Sequence, residues 1–126
     1  MSDITPENVQ EKLNLFQQIQ QQVQSLSQQI SQIDMSIGEN ERTLEEIKNV
    51  GEKSTLYRAI GSVMKKVDDN PKLIKDLEEE KERMEIRNNS LKNQVGKMNE
   101  ELEEMQKKLA PIMQNMQETN GKNAPK

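Results

Sequence analysis

From Phe16 onward the apolar residues recur at alternating steps of three and four: Ile19, Val23, Leu26, Ile30, Ile33 and Ile37, then Leu44 and Ile47. That spacing is the heptad of a coiled coil, in which one narrow stripe of a helix faces a partner helix. Asn40 is the one polar residue in the stripe. Pro6 suits a first helical turn and Thr5 can cap it, so helix 1 is predicted over about residues 6–49. A second run gives Ile74, Leu77, Met84, Leu91, Val95, Met98, Leu102, Met105, Leu109, Ile112 and Met116, with Lys81 and Asn88 at the two skipped positions. Asp69 or Asn70 can cap this helix and Pro71 fits its first turn. Pro111 is expected to end or kink it near Ala110. Helix 2 is therefore predicted over about residues 71–113, followed by a polar tail, 119–126, that frays.

Between the helices the pattern changes. Two short β-prone runs, ending at Ile60 and starting at Val63, flank Gly61 and Ser62. They read as a β-hairpin over about residues 54–67. A single helix passing through Gly51 and Gly61 is the competing reading. If the hairpin reverses the chain, the helices are antiparallel and residues that share a core layer have numbers of constant sum. Pairing Ile47 with Ile74 sets that sum at 121 and places apolar opposite apolar from Leu44 with Leu77 to Phe16 with Met105. Asn40 falls opposite Lys81, whereas Asn88 falls opposite Ile33 and lacks a polar mate. A polar layer of Asn40 and Lys81 costs stability and fixes register. The expected fold is mainly α: a long antiparallel two-helix coiled coil, about 60 Å over roughly 40 residues, joined by a central β-hairpin.

Such a chain is not expected to stand alone. The hairpin carries Leu56, Tyr57, Ile60, Val63, Met64 and Val67, with nothing left in the sequence to cover them, and its edges present unpaired backbone groups. Hairpins from several chains pairing into a shared sheet or closed barrel would resolve both problems. The alternative is a hairpin folded back on its own helices. Both chain ends then lie at the other end of the coiled coil, where apolar residues exceed what a seam needs. Leu13 and Leu15 flank Phe16, and Met113 sits beside Ile112 and Met116. These are candidates for contacting another protein, methionine being adaptable to varied surfaces; local packing where the helices splay is the bland alternative.

Composition sharpens the picture. Of 126 residues, 31% are hydrophobic, and one Phe and one Tyr are the only aromatics, too little for a thick globular core. Leu, Ile, Val and Phe make up 27 residues, close to the level of disordered chains. Absent Cys and His remove disulfides, cysteine nucleophiles, histidine bases and the usual zinc sites. The segment 13–33 has no charge, but its nine glutamines and three serines rule it out as a membrane span. No signal peptide is read at the start. A net charge of −4 without a clustered basic face argues against nucleic acid. The acidic residues near Asp68 and Glu78 lack the glycine and spacing of a calcium loop, and Glu100 with Glu101 has no pocket to tune it. A soluble cytoplasmic protein that is neither an enzyme nor a cofactor binder is expected.

The stretch Leu56 to Lys66 between two helices of matching length resembles the β-class subunits of the prefoldin family, whose hairpin reads roughly V-Y-K-x-V-G-x-x-L-x-K. Tyr57, Gly61 and Lys65 carry the likeness; Leu56, Arg58 and Met64 depart from it. The Pro6–Gln10 segment followed by Leu13, Phe16 and the glutamine run is similar to archaeal β subunits, and the likeness covers about residues 4–113. The resemblance implies one prefoldin-like domain over 1–126 and a hexamer of two α-class and four β-class subunits whose hairpins close into β-barrels. It implies an ATP-independent holdase that holds unfolded polypeptide and delivers it to a group II chaperonin. It assigns client contact to Leu13, Leu15, Phe16, Ile19, Leu109, Ile112, Met113 and Met116. Assembly falls to Leu56, Tyr57, Ile60, Gly61, Val63, Met64 and Val67. The reading from another class is a structural coiled-coil tether or adaptor joining defined partners, which needs one matched partner where a holdase tolerates many.

Overall fold

The computed structural model describes residues 4–51 and 53–123, with side chains through residue 115. Helix α1 spans Val9–Val50, strands β1 and β2 span Tyr57–Ile60 and Val63–Lys66, and helix α2 spans Asn70–Asn123. The fold is thus mainly α, with two long helices joined by a two-stranded antiparallel hairpin. A single helix through Gly61 is excluded.

Helix α1 starts later than predicted. The Asn8 side chain accepts a hydrogen bond from the Thr5 amide at 2.8 Å, and the Asn8 carbonyl accepts from the Lys12 amide at 3.0 Å. The regular i to i+4 bonds thus begin at Asn8, while its side chain reaches back to the Thr5 amide as the third residue of a capping box does, with Pro6 in the turn between them. At its other end Gly51, at φ 85°, donates its amide to the Ile47 carbonyl at 3.2 Å, the single bond of a left-handed helix cap. Between the two capping candidates for α2, the structure selects Asp69. Its carboxylate accepts from the Lys72 amide at 3.1 Å, and its carbonyl accepts from Leu73.

Helix α2 also runs past its predicted end near 113, through Pro111, and includes part of the stretch expected to fray; residues 124–126 lie outside the described residues. Proline removes one backbone donor and crowds the preceding turn. Here Leu109 is buried and Ile112 packs on the same core, so contacts on both sides of Pro111 hold the helix in register.

Packing divides the chain into two compact units, one drawn from the chain ends as far as Gln28 and from Lys92 onward, the other comprising Gln29–Leu91. In the terminal unit Val9, Ile19, Met105 and Leu109 form the buried cluster, with Leu13, Phe16, Val23, Met98, Leu102 and Ile112 against it. Phe16 and Met105, Ile19 and Leu102, and Val23 and Met98, three pairs expected from the constant sum, all belong to this cluster. A fully buried side chain such as Ile19 or Met105 contributes about 1.5–3 kcal/mol, and the half-buried ones less.

In the hairpin unit Leu44 and Ile47 are buried, together with Asn40, Asn70 and Asn88. Two cross-helix contacts report its register directly. Asn88 Nδ2 donates to Asp34 Oδ1 at 2.6 Å, and Lys81 Nζ lies 3.3 Å from Glu41 Oε1. Both pairs of numbers total 122, one more than the core-layer sum.

Candidate assembly and binding surfaces

The hairpin is built on a two-residue connection. Gly61 has φ 59° and Ser62 does not have positive φ, the signs of a type II′ turn, whose twist matches that of paired strands. Tyr57 pairs with Lys66, Arg58 with Lys65, Ala59 with Met64 and Ile60 with Val63. One further bond, from the Val67 amide to the Leu56 carbonyl at 2.9 Å, extends the ladder beyond the strands. Because directly opposed residues share a face, Tyr57, Ala59, Met64 and Lys66 lie on one side and Arg58, Ile60, Val63 and Lys65 on the other.

Four contacts seat the hairpin on its helices. Arg58 meets Glu80 of α2 at 3.2 Å, an exposed ion pair worth at most about 1 kcal/mol. The buried Asn70 donates from Nδ2 to the Ser54 carbonyl at 2.7 Å, and the Ser54 hydroxyl bonds the Val50 carbonyl. Leu56 lines a shallow concavity with Thr43, Ile47 and Val50 of α1. Nothing in the sequence pattern singled out Asn70 as more than a cap; its place one residue before Pro71 and beside Asp69 was the available signal.

The candidate assembly residues consequently separate. Leu56 and Val67 at the root are half-buried, while Tyr57, Ile60, Val63 and Met64 are each more than half exposed. Gly61 supplies the turn. Each strand has one hydrogen-bonded neighbour among the described residues, so its other edge carries unpaired backbone groups.

The candidate register residues do not bond one another. Lys81 lies between Glu41 and Glu85, at 3.3 and 3.7 Å, at the edge of the seam. Asn40 is buried, and its Oδ1 has no hydrogen-bond partner among the described residues. Asn88, expected opposite Ile33 without a polar mate, instead reaches the next residue, Asp34, because a side chain angled along the helix spans a diagonal.

The candidate client residues also separate. Ile19 and Leu109 are buried in the terminal core, and Leu13, Phe16 and Ile112 are half-buried against it. Leu15 and Met113 are exposed, at 39% and 40%. The side chain of Met116 lies outside those described. Among the described residues no acidic cluster is placed to hold a metal ion, and no helix is long and apolar enough to cross a membrane.

Comparison with known proteins gives one answer. Residues 10–116 match the family described as prefoldin subunit. The chain is 36% identical to the prefoldin subunit beta of Thermoplasma volcanium over 92% of its own length and 91% of that protein. It is 34% identical to that of Archaeoglobus fulgidus, covering 86% of this chain and 92% of the relative. The crystal structure of the prefoldin beta subunit from Thermococcus strain KS-1 superimposes with a TM-score of 0.76 at 29% identity, covering 89% of this chain and 96% of that one. An exposed hairpin set between two long helices, matched along nearly its whole length by these proteins, shows that the chain belongs to the prefoldin subunit family.

Proposed function

We propose that this chain is the β-class subunit of a cytoplasmic, ATP-independent prefoldin that captures unfolded polypeptide and passes it to a group II chaperonin. It assembles through its hairpin with α-class subunits and further β copies, two α and four β in the complete particle. The observation that carries this reading is the exposure of Tyr57, Ile60, Val63 and Met64 on a two-stranded sheet with open edges. Such a sheet is marginal in water by itself and gains both apolar burial and backbone partners when strands of another chain join it.

Capture at the helix ends needs no nucleotide and no catalytic group. Apolar side chains of an unfolded chain leave water against Leu15 and Met113, and against Leu13, Phe16 and Ile112 where these are open, each contact weak and non-directional. Several copies in one particle multiply such contacts into useful retention.

Two double variants separate the surfaces. Val63→Asp with Met64→Asp, mixed with α-class partner, is expected to abolish the assembled mass by native mass spectrometry while the helical circular dichroism persists. Leu15→Ser with Met113→Ser is expected to assemble normally but to suppress aggregation of a denatured protein about threefold less well, the loss of roughly one weak apolar contact per subunit. Full suppression by the second variant, with assembly intact, would overturn the client assignment.

A further inference from the structure

Residues 13–28 of α1 contain no Asp, Glu, Lys or Arg, whereas residues 92–108 of α2, in the same unit, contain four lysines and four glutamates. The contrast is on the surface. All seven glutamines between Gln17 and Gln28 are exposed. Glu and Lys form helices as well as Gln does, and α2 uses them for its own solvated side, including an ion pair of Lys107 with Glu103 at 3.7 Å. Helix formation and solubility therefore do not require α1 to be free of charge.

An uncharged amide face has a specific chemical fit. Each glutamine offers one acceptor oxygen and two donor hydrogens, the complement of a peptide group. Covering an amide costs little when it gains such a partner, whereas covering a charge costs several kcal/mol unless a counter-charge meets it. Leu15, Gln18 and Gln22 stand three and four residues apart and share one side of the helix, so the amide track begins at the exposed apolar residue. A second copy of the chain is a poorer occupant. A stable protein interface has a desolvated apolar centre, and past Leu15 this track has none. Nucleic acid is poorer still, since the track has no cation to meet a phosphate.

We propose that the uncharged glutamine track of α1 is a second docking surface, which hydrogen-bonds the extended main chain of an unfolded polypeptide held at Leu15. The proposal rests on the chaperone reading above. Charge-free amides let the main chain of any sequence lie along α1 without a charged side chain having to be desolvated, which suits a partner defined by its backbone.

The test uses the assembled complex with its partner subunits and, as probe, reduced and carboxyamidomethylated α-lactalbumin, which stays unfolded in buffer. Gln18→Glu with Gln22→Glu, Gln18→Lys with Gln22→Lys, and Gln18→Ala with Gln22→Ala are compared with wild type. Both charged pairs are expected to weaken probe binding about tenfold, and the alanine pair about threefold, as two hydrogen-bonding amides are lost. Opposite shifts for the glutamate and lysine pairs would mean long-range attraction to the probe's own charge and would overturn the proposal. Wild-type binding by both charged pairs would also overturn it, and a changed native mass would reassign the face to contact between copies. The Leu15→Ser with Met113→Ser complex is measured alongside. If it loses binding while the charged pairs do not, the chaperone reading stands and only the glutamine track fails; if it too binds as wild type, the failure lies in the reading beneath.

Discussion

Asn40 and Asn88 each bury an amide oxygen in the hairpin unit with no hydrogen-bond partner among the described residues. A buried acceptor in that state costs about 1–3 kcal/mol, so both positions hold the seam below its attainable stability. They differ in what replacement gives up. Asn40→Leu removes the orphan oxygen and adds apolar burial, and is expected to raise the thermal midpoint by about 3–6 °C, measured by circular dichroism. Asn88→Leu gains the same terms but forfeits a hydrogen bond to the Asp34 carboxylate, so its midpoint should rise less than that of Asn40→Leu. A drop for Asn40→Leu would show that its amide is satisfied in solution. At this scale the sequence was legible to within one residue. Heptad spacing marked Asn40, Lys81 and Asn88 as polar interruptions, but a layer rule treats side chains as points. Lys81 and Asn88 are long enough to reach Glu41 and Asp34, each one residue beyond the layer position opposite.

The helices and the hairpin were legible because their signals are local: a period of three and four, and Gly-Ser between β-prone runs. Their ends were less so. Thr5 and Asn8 are joined in one hydrogen-bonded turn around Pro6, which delays the first regular helical bond and which the periodicity does not encode. Pro111 reads as a terminator until the packing of Leu109 and Ile112 around it is known. Glycine shows how one substitution changes sign with its element. Gly61 and Gly51 have φ of 59° and 85°, where a Cβ is strained, so Gly61→Ala and Gly51→Ala should each cost about 1–2 kcal/mol. Gly38 lies within α1 at negative φ, and an added Cβ meets nothing within 4 Å. Gly38→Ala should therefore stabilise the chain by about 1 kcal/mol. Urea unfolding of the three variants against wild type checks both signs; a stabilised Gly61→Ala would mean that the hairpin is not formed in the isolated chain.

At the scale of the molecule, the low apolar and aromatic content has a structural counterpart, among the described residues, in a small terminal cluster, a few buried side chains such as Leu44 and Ile47, and a hairpin left open to water. The candidate sites were only partly legible for the same reason. Exposure of Tyr57 and Met64 follows from the absence of anything in the chain to cover them, whereas the burial of Ile19 and Leu109 depends on which stripe residues the terminal core absorbs. If the hairpin is completed by other subunits, its stability must depend on their concentration while that of the helices need not. Amide hydrogen exchange resolves the two. Among the described residues the strands 57–60 and 63–66 pair only with each other, so in the isolated chain their outward amides should exchange within about tenfold of an unstructured peptide. If α-class subunits complete the sheet, mixing with them gives the same amides strand partners, and their exchange should slow by about a hundredfold or more, corresponding to roughly 3 kcal/mol of local opening. Amides around Leu44 and Ile47, already within α1 and beside buried side chains, should change far less. Equal slowing of both regions would mean that assembly stabilises the whole chain by mass action without a shared sheet. Slowing confined to the helices would place the interface away from the hairpin altogether.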